Sequence, residues 1–181
     1  LDEKYFLNKK FYFKVKKQIP IKSGLGGGSM NAASVLKYFL KKRIIKNNKN
    51  EIIKIAKLIG EDVVLGLMSP YLIINSRNKI QQYKKTKRFY TLVVKPNFGC
   101  STKDIYLGVK KFEKAKFSNP NKNMFNIDFL KKMHNSLEPV AFLKYPKLKK
   151  IKSYLEDFLK PLFVRMTGSG SAIVAYFQTK K

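Results

Sequence analysis

The sequence predicts a mixed α/β (α+β) protein in two lobes, and three observations carry that prediction. Short stretches with alternating apolar residues, the mark of half-buried strands, are interleaved with longer stretches whose apolar residues recur at helical spacing. Four glycines, Gly24, Gly26, Gly27 and Gly28, stand between the first strand pattern and the first helix pattern. The character of the chain shifts near residues 86–90, where a second lobe begins. The 181 residues are 44% hydrophobic and 13% aromatic, enough for one domain or one and a half with a normal core.

In chain order, "FYFKVKK" (11–17) puts Phe11, Phe13 and Val15 on one side and reads as a half-buried strand. After the glycines, Ser29 stands where a helix N-cap is expected. Ala32, Ala33, Val35, Leu36, Phe39 and Leu40 then form a helical stripe. "NNKN" (47–50) is a break, and "EIIKIAKLIG" is a second helix ending at Gly60. Residues 70–75 and 89–95 read as strands. "PNFGCST" (96–102) is a loop in which Ser101 or Thr102 caps the helix "KDIYLGVKKF". "FSNPNKN" (117–123) is a surface loop, followed by helices over 126–135 and 146–159, the second with Pro146 in its first turn. "PLFVRM", "TGSGS" and "AIVAYF" close the chain as strand, loop and strand.

Charge is the loudest bulk property, a formal +28, yet lysines are spread along the whole length rather than gathered in one patch. Lys, Asn, Ile, Phe and Tyr can all be written in A/T-rich codons. Arginine, which base and phosphate recognition would favour, is scarce. Solvated lysine faces therefore account for the charge, and no nucleic-acid partner is expected, although such a surface attracts anionic ligands. No apolar run reaches the roughly 18 residues of a membrane span, so a soluble protein with no membrane partner is expected. The single cysteine, Cys100, excludes an internal disulfide and suits a reducing compartment. Cys100 and His134 lack metal-ligand neighbours in sequence and read as structural; the metal ligands are left unassigned.

The glycine loop has a chemical reading. Glycine costs backbone entropy, so four within five residues need a steric reason. A Walker A loop requires Gly-Lys-Ser/Thr, whereas Gly28 is followed by Ser29 and Met30. A Rossmann turn requires a glycine where Ser29 stands. What fits is a broad nest of backbone amides with a helix N-terminus behind it, a place for phosphate oxygens, with Ser29 and Asn31 at its lip.

"IPIKSGLGGGSMNAASVL" resembles the second motif of the GHMP kinases. "KKQIP", "GEDV" (60–63), "STKDIY" (101–106), "NSLEPVA" (135–141) and "RMTGSGSAIVAYF" (165–177) follow in the family's order. The ordered set most closely resembles the branch acting on 4-diphosphocytidyl-2-C-methyl-D-erythritol, in the non-mevalonate (MEP) route to isoprenoids. The resemblance covers essentially all of the chain. It implies the GHMP kinase fold, with a C-terminal ferredoxin-like lobe. Residues 1–88 would be the later part of the ATP-binding N-terminal domain, and 89–181 a truncated C-terminal domain. It also implies a fragment, lacking an N-terminal segment and the C-terminal end.

The resemblance further implies an ATP-dependent phosphotransferase using Mg²⁺, with a cytidine diphosphate-linked small molecule as acceptor. Gly24, Leu25, Gly26, Gly27, Gly28, Ser29 and Asn31 would hold the ATP phosphates, and Lys17 would sit by the adenine. Asp62, in "LIGEDVVLGL", would be the catalytic base; an unpaired carboxylate in so apolar a setting would be costly, and a cap or a buried ion pair are the other readings. Glu61 and Val64 depart from the family's "GADVP". Tyr106 would stack on the cytosine with Thr102 nearby, although periodicity alone makes Tyr106 a core residue. Gly168, Ser169 and Gly170 would pack against the first glycine loop and line the substrate region. "NSRNKI" (75–80) stands where the family carries a Gly-rich turn. A bacterial cytoplasm is the expected compartment, with a plastid as the alternative. A homoserine- or mevalonate-type kinase, a basic nucleic-acid-binding module and an inert fragment are the competing readings. The oligomeric state is left open.

Overall fold

The computed structural model describes residues 10–45, 48–68, 70–75, 79–84, 86–111 and 119–180. The chain gathers into two compact units, one of Leu1–Pro20 with Gly26–Pro70, the other of Ile21–Leu25 with Tyr71–Lys181.

The first unit is helical: α1 (Gly27–Lys41), α2 (Lys49–Ile59) and α3 (Val63–Leu67). Helix α1 buries the predicted stripe through Ala33, Leu36 and Phe39. It crosses α3 closely, since a Cβ on Gly66 would fall 2.5 Å from the Ala33 Cβ. Helix α2 starts at Asn48, whose side chain accepts the Glu51 N–H at 3.0 Å, and stops at Gly60 as expected. Residues 11–17 differ from their sequence reading and form no strand among the described residues. Alternation marks a two-sided segment, but a strand exists only where a neighbour completes its hydrogen bonds. Phe11 and Phe13 instead set their rings against Phe39, at centroid distances of 4.9 and 5.6 Å.

In the second unit β1 (Leu72–Ile74) and β2 (Ile80–Gln82) form an antiparallel pair, Ile73 opposite Gln81. Of the "NSRNKI" stretch (75–80), residues 76–78 lie outside the described residues, as do 112–118, which take in the first part of the expected 117–123 loop. The main sheet has the order β3 (Tyr90–Val94), β5 (Ile173–Phe177), β4 (Phe163–Met166), all antiparallel. With both sheets antiparallel, α+β is the accurate half of the predicted class. Helix α4 (Thr102–Leu107) is capped by Ser101, whose hydroxyl accepts the Asp104 N–H at 3.3 Å. A 3₁₀ turn (Lys122–Phe125) leads into α5 (Ile127–Lys132), α6 (Glu138–Lys144) and α7 (Pro146–Leu159). The sequence reading expected two helices here. A third, α6, stands between them; no side chain caps it, and the Asn135 side-chain oxygen accepts the N–H of its N-cap residue Leu137 at 2.9 Å.

Helix α7 packs on β4 and β5. The core lies on that face: Ile105, Leu148 and Leu155 from the helices meet Val164, Met166, Ile173, Ala175 and Phe177 from the strands. Cys100 belongs to this core, and burial pushes its thiol pKa up, with Lys95 pulling back. Burial also lowers the Arg165 guanidinium and raises the Tyr176 phenol, each tempered by the other's charge and, for Arg165, by Glu138. No helix among the described residues is long and apolar enough to cross a membrane.

Candidate active site

The glycine stretch resolves into two functions. Gly24, at φ +74, and Gly26, at φ +67, take the left-handed backbone that L side chains avoid. Gly26 is the N-cap of α1, and no side chain caps the helix there. Ser29 is therefore not the cap that the sequence suggests. It is the third helical residue, displaced from the cap because the left-handed Gly26 turns the chain into the helix three residues earlier. Met30 N–H already bonds the Gly26 carbonyl at 2.9 Å. The amides of Gly27, Gly28 and Ser29 precede the first such bond and are the helix's open donors. A Cβ on Gly26 or on Gly28 would meet nothing within 4 Å, while one on Gly27 would lie 3.3 Å from the Ile19 side chain. Such an end, with the helix macrodipole behind it, suits an anion. Asn31 is exposed on α1, and Lys17 is exposed in the segment before the loop.

Asp62 stands at the N-cap position of α3 but makes no side-chain cap bond. It is exposed, whereas Val63 and Val64 are buried. This corrects the argument from its apolar neighbours: the valines turn into the core and leave the carboxylate in water, so neither a buried ion pair nor a desolvated acid describes it. Glu61 beside it is exposed too.

The second unit holds Gly24 and the late glycine turn in direct contact. The Thr167 hydroxyl donates to the Gly24 carbonyl at 3.0 Å, and a Cβ on Gly24 would fall 2.1 Å from the Thr167 carbonyl oxygen. A Cβ on Gly168, itself at φ +53, would press on the Gly24 carbonyl at 3.1 Å. Ala172 N–H donates to the Ser23 carbonyl at 2.9 Å, which continues the tie. On the turn's other side the Ser169 and Thr102 hydroxyls lie 2.8 Å apart, and the Ser171 hydroxyl donates to the Phe98 carbonyl at 2.7 Å. Gly170 backs onto Met166 and Cys100, with a Cβ there falling 2.8 Å from the Met166 sulfur. Leu25 N–H lies 3.4 Å from the Ser23 hydroxyl oxygen. Tyr106 is 52% exposed while Ile105 beside it is fully buried, so its ring is a surface aromatic and the periodicity reading of a core residue does not hold.

Two polar residues that support this arrangement received no role from the sequence. Asn135 donates to the carbonyls of Met166 and Gly168 at 2.9 and 2.7 Å. Glu138 is buried, accepts the Met166 N–H at 2.7 Å and pairs with Lys152 at 2.7 Å. The signal was an acid followed by proline at a helix start inside "NSLEPVA", which could have been read as a buried first-turn carboxylate. His134 has no metal-ligand cluster around it: among the described residues, no group of three or more His, Cys, Asp or Glu could hold an ion.

The GHMP kinases N terminal domain model matches residues 1–71, and the GHMP kinases C terminal model matches residues 110–181. The chain belongs to the GHMP kinase family. It is 53% identical over its whole length to the 4-diphosphocytidyl-2-C-methyl-D-erythritol kinase of Pelagibacter ubique, and covers 65% of that protein. To the enzyme of the same name from Buchnera aphidicola it is 34% identical, over 98% of the chain and 56% of the relative. The chain thus spans a little under two thirds of the curated relatives it matches. A crystal structure of 4-(cytidine 5'-diphospho)-2C-methyl-D-erythritol kinase superposes with a TM-score of 0.71 at 25% identity, over 89% of this GHMP kinase chain and 59% of that one.

Proposed function

We propose that this chain carries the nucleotide- and acceptor-binding parts of an ATP-dependent kinase. The kinase phosphorylates the 2-hydroxyl of 4-diphosphocytidyl-2-C-methyl-D-erythritol, a step toward isoprenoid precursors in a bacterial cytoplasm. The observation that carries the reading is the start of α1, which no side chain caps, so that three amides and a macrodipole are left to an anion. The names of the relatives supply the acceptor. Residues 1–88 serve as the later part of the ATP-binding domain and 89–181 as the C-terminal domain.

Phosphoryl transfer demands positioning and charge stabilisation more than covalent chemistry. The amides of Gly27, Gly28 and Ser29 donate to phosphate oxygens, with Lys17 beside the adenine. Asp62 accepts the proton of the attacking hydroxyl as its oxygen bonds to the γ-phosphorus and the bond to the ADP oxygen breaks. A positioned base contributes on the order of 10²–10⁴-fold. Tyr106 stacks on the cytosine, and Thr102 and Ser169 present hydroxyls. Mg²⁺ supplies charge neutralisation when bound. The Ser29 hydroxyl, on the third helical residue of α1, would hold it together with phosphate oxygens.

An acceptor screen tests the reading. The complete gene product carrying this sequence is offered ATP and Mg²⁺ with the cytidyl substrate, homoserine, mevalonate and phosphomevalonate in turn. ADP release with the cytidyl substrate alone supports it. Turnover only with homoserine or a mevalonate-type acceptor would move the chain to another branch of the family.

A further inference from the structure

The side chain of Asn135 makes three hydrogen bonds. Its Nδ2 donates to the Met166 carbonyl at 2.9 Å and the Gly168 carbonyl at 2.7 Å, while Oδ1 accepts the Leu137 N–H at 2.9 Å. Two donors and an acceptor on one planar group are what a carboxamide offers and no other side chain does. The two carbonyls it grips flank Thr167, the residue whose hydroxyl reaches Gly24. Beyond them comes Ser169, whose hydroxyl lies against Thr102.

The turn between these contacts needs outside support. Gly168 and Gly170 sit at φ +53 and φ +84, and glycine is the residue with the most conformations to lose. Within the turn, Thr167 N–H donates to the Ala172 carbonyl at 3.0 Å and Gly170 N–H to the Thr167 carbonyl at 2.9 Å, and neither bond holds the carbonyls of Met166 and Gly168. Asn135 therefore pins the entry to the turn through the two carbonyls that flank Thr167.

We propose that Asn135 is a positioning residue for phosphoryl transfer, fixing the 167–171 turn so that Gly24 and Ser169 hold their places. The proposal rests on the kinase reading given above. It differs from a merely structural role because its consequence is geometric: a displacement of about 1 Å at a reacting group costs on the order of a hundredfold in rate.

Three variants of the complete gene product test it. Asn135→Asp keeps the size and the acceptor for Leu137 but loses both donors, and kcat is expected to fall on the order of a hundredfold. As the pH drops from about 8 to about 5.5, kcat relative to the parent recovers, because a protonated carboxyl regains one O–H donor toward the two carbonyls. Asn135→Ala shows no such recovery. Leu155→Ala, a cavity in the same core, measures what lost stability alone does, and its kcat stays within about twofold of the parent at a temperature where both are folded. Amide exchange read alongside should quicken at residues 167–172 in Asn135→Asp. The proposal is overturned if Asn135→Asp retains parental kcat, if Leu155→Ala loses as much, or if exchange at 167–172 is unchanged. Should the parent itself show no turnover, the kinase reading fails, and the exchange measurement still decides whether Asn135 holds the turn.

Discussion

Gly24 and Gly28 lie four residues apart and answer to different demands. A side chain at Gly24 would be strained at φ +74 and would strike the Thr167 carbonyl. Gly24→Ala should therefore lower unfolding free energy by about 1–3 kcal/mol from the backbone alone, and more from the clash, as read by urea denaturation. A side chain at Gly28 meets nothing and sits in a helix. Gly28→Ala should leave stability unchanged or raise it by up to about 1 kcal/mol, while weakening ATP binding measured by calorimetry. If Gly28→Ala bound ATP as the parent does, that end of the helix would not be the phosphate site. Cys100 and Tyr176 make a pH prediction. Both native pKa values are raised by burial, so the stabilisation is complete below the ordinary values of 9.0 and 10.0 and is lost as pH climbs through the native ones. The thermal midpoint should therefore fall on the alkaline side, and the Cys100 thiol should resist alkylation until the chain unfolds.

Among the elements, the start of α6 bears the most on the site. Glu138 joins the Met166 N–H to Lys152 and so protects the outer edge of β4. Removing one partner of a buried pair costs about 3–5 kcal/mol when nothing replaces it. Lys152 is 22% exposed, so the loss should fall toward the lower end. Glu138→Gln keeps an acceptor for Met166, whereas Glu138→Leu leaves that N–H unsatisfied. Urea denaturation should rank them parent, Gln, Leu; equal losses would mean that the Met166 bond contributes nothing.

The elements also show what the sequence could tell. Helix α1, the end of α2 at Gly60 and strands β3, β4 and β5 were legible because periodicity, a stop residue or an apolar run marks each locally. The strand expected at 11–17 failed because pairing is a property of two segments, and one was read. Ser29 was misplaced because an N-cap serine and a left-handed glycine are rival ways to start a helix, and only backbone angles separate them. The burial expected of Asp62 failed because apolar neighbours in sequence, here Val63 and Val64, can face away in space. Asn135 and Glu138 act on residues about thirty positions downstream, which no local pattern reveals.

At the scale of the whole molecule, the formal charge of +28 gives a sequence-independent attraction to nucleic acid that must weaken as salt rises. Binding of a short duplex in low salt should be lost by about 0.3 M, while ATP binding at a helix N-terminus, made by fixed amides, should persist. Duplex binding that survives that salt would favour the nucleic-acid reading instead. The central claim, a GHMP kinase with Asp62 as its base, is tested most directly by ADP release from the complete gene product with ATP, Mg²⁺ and the cytidyl substrate, beside an Asp62→Asn variant of equal thermal midpoint. Turnover in the parent and a loss of at least about 10²-fold in the variant are expected. Undiminished turnover in Asp62→Asn would remove the base, and a well-folded parent that turns over no acceptor would contradict the kinase itself.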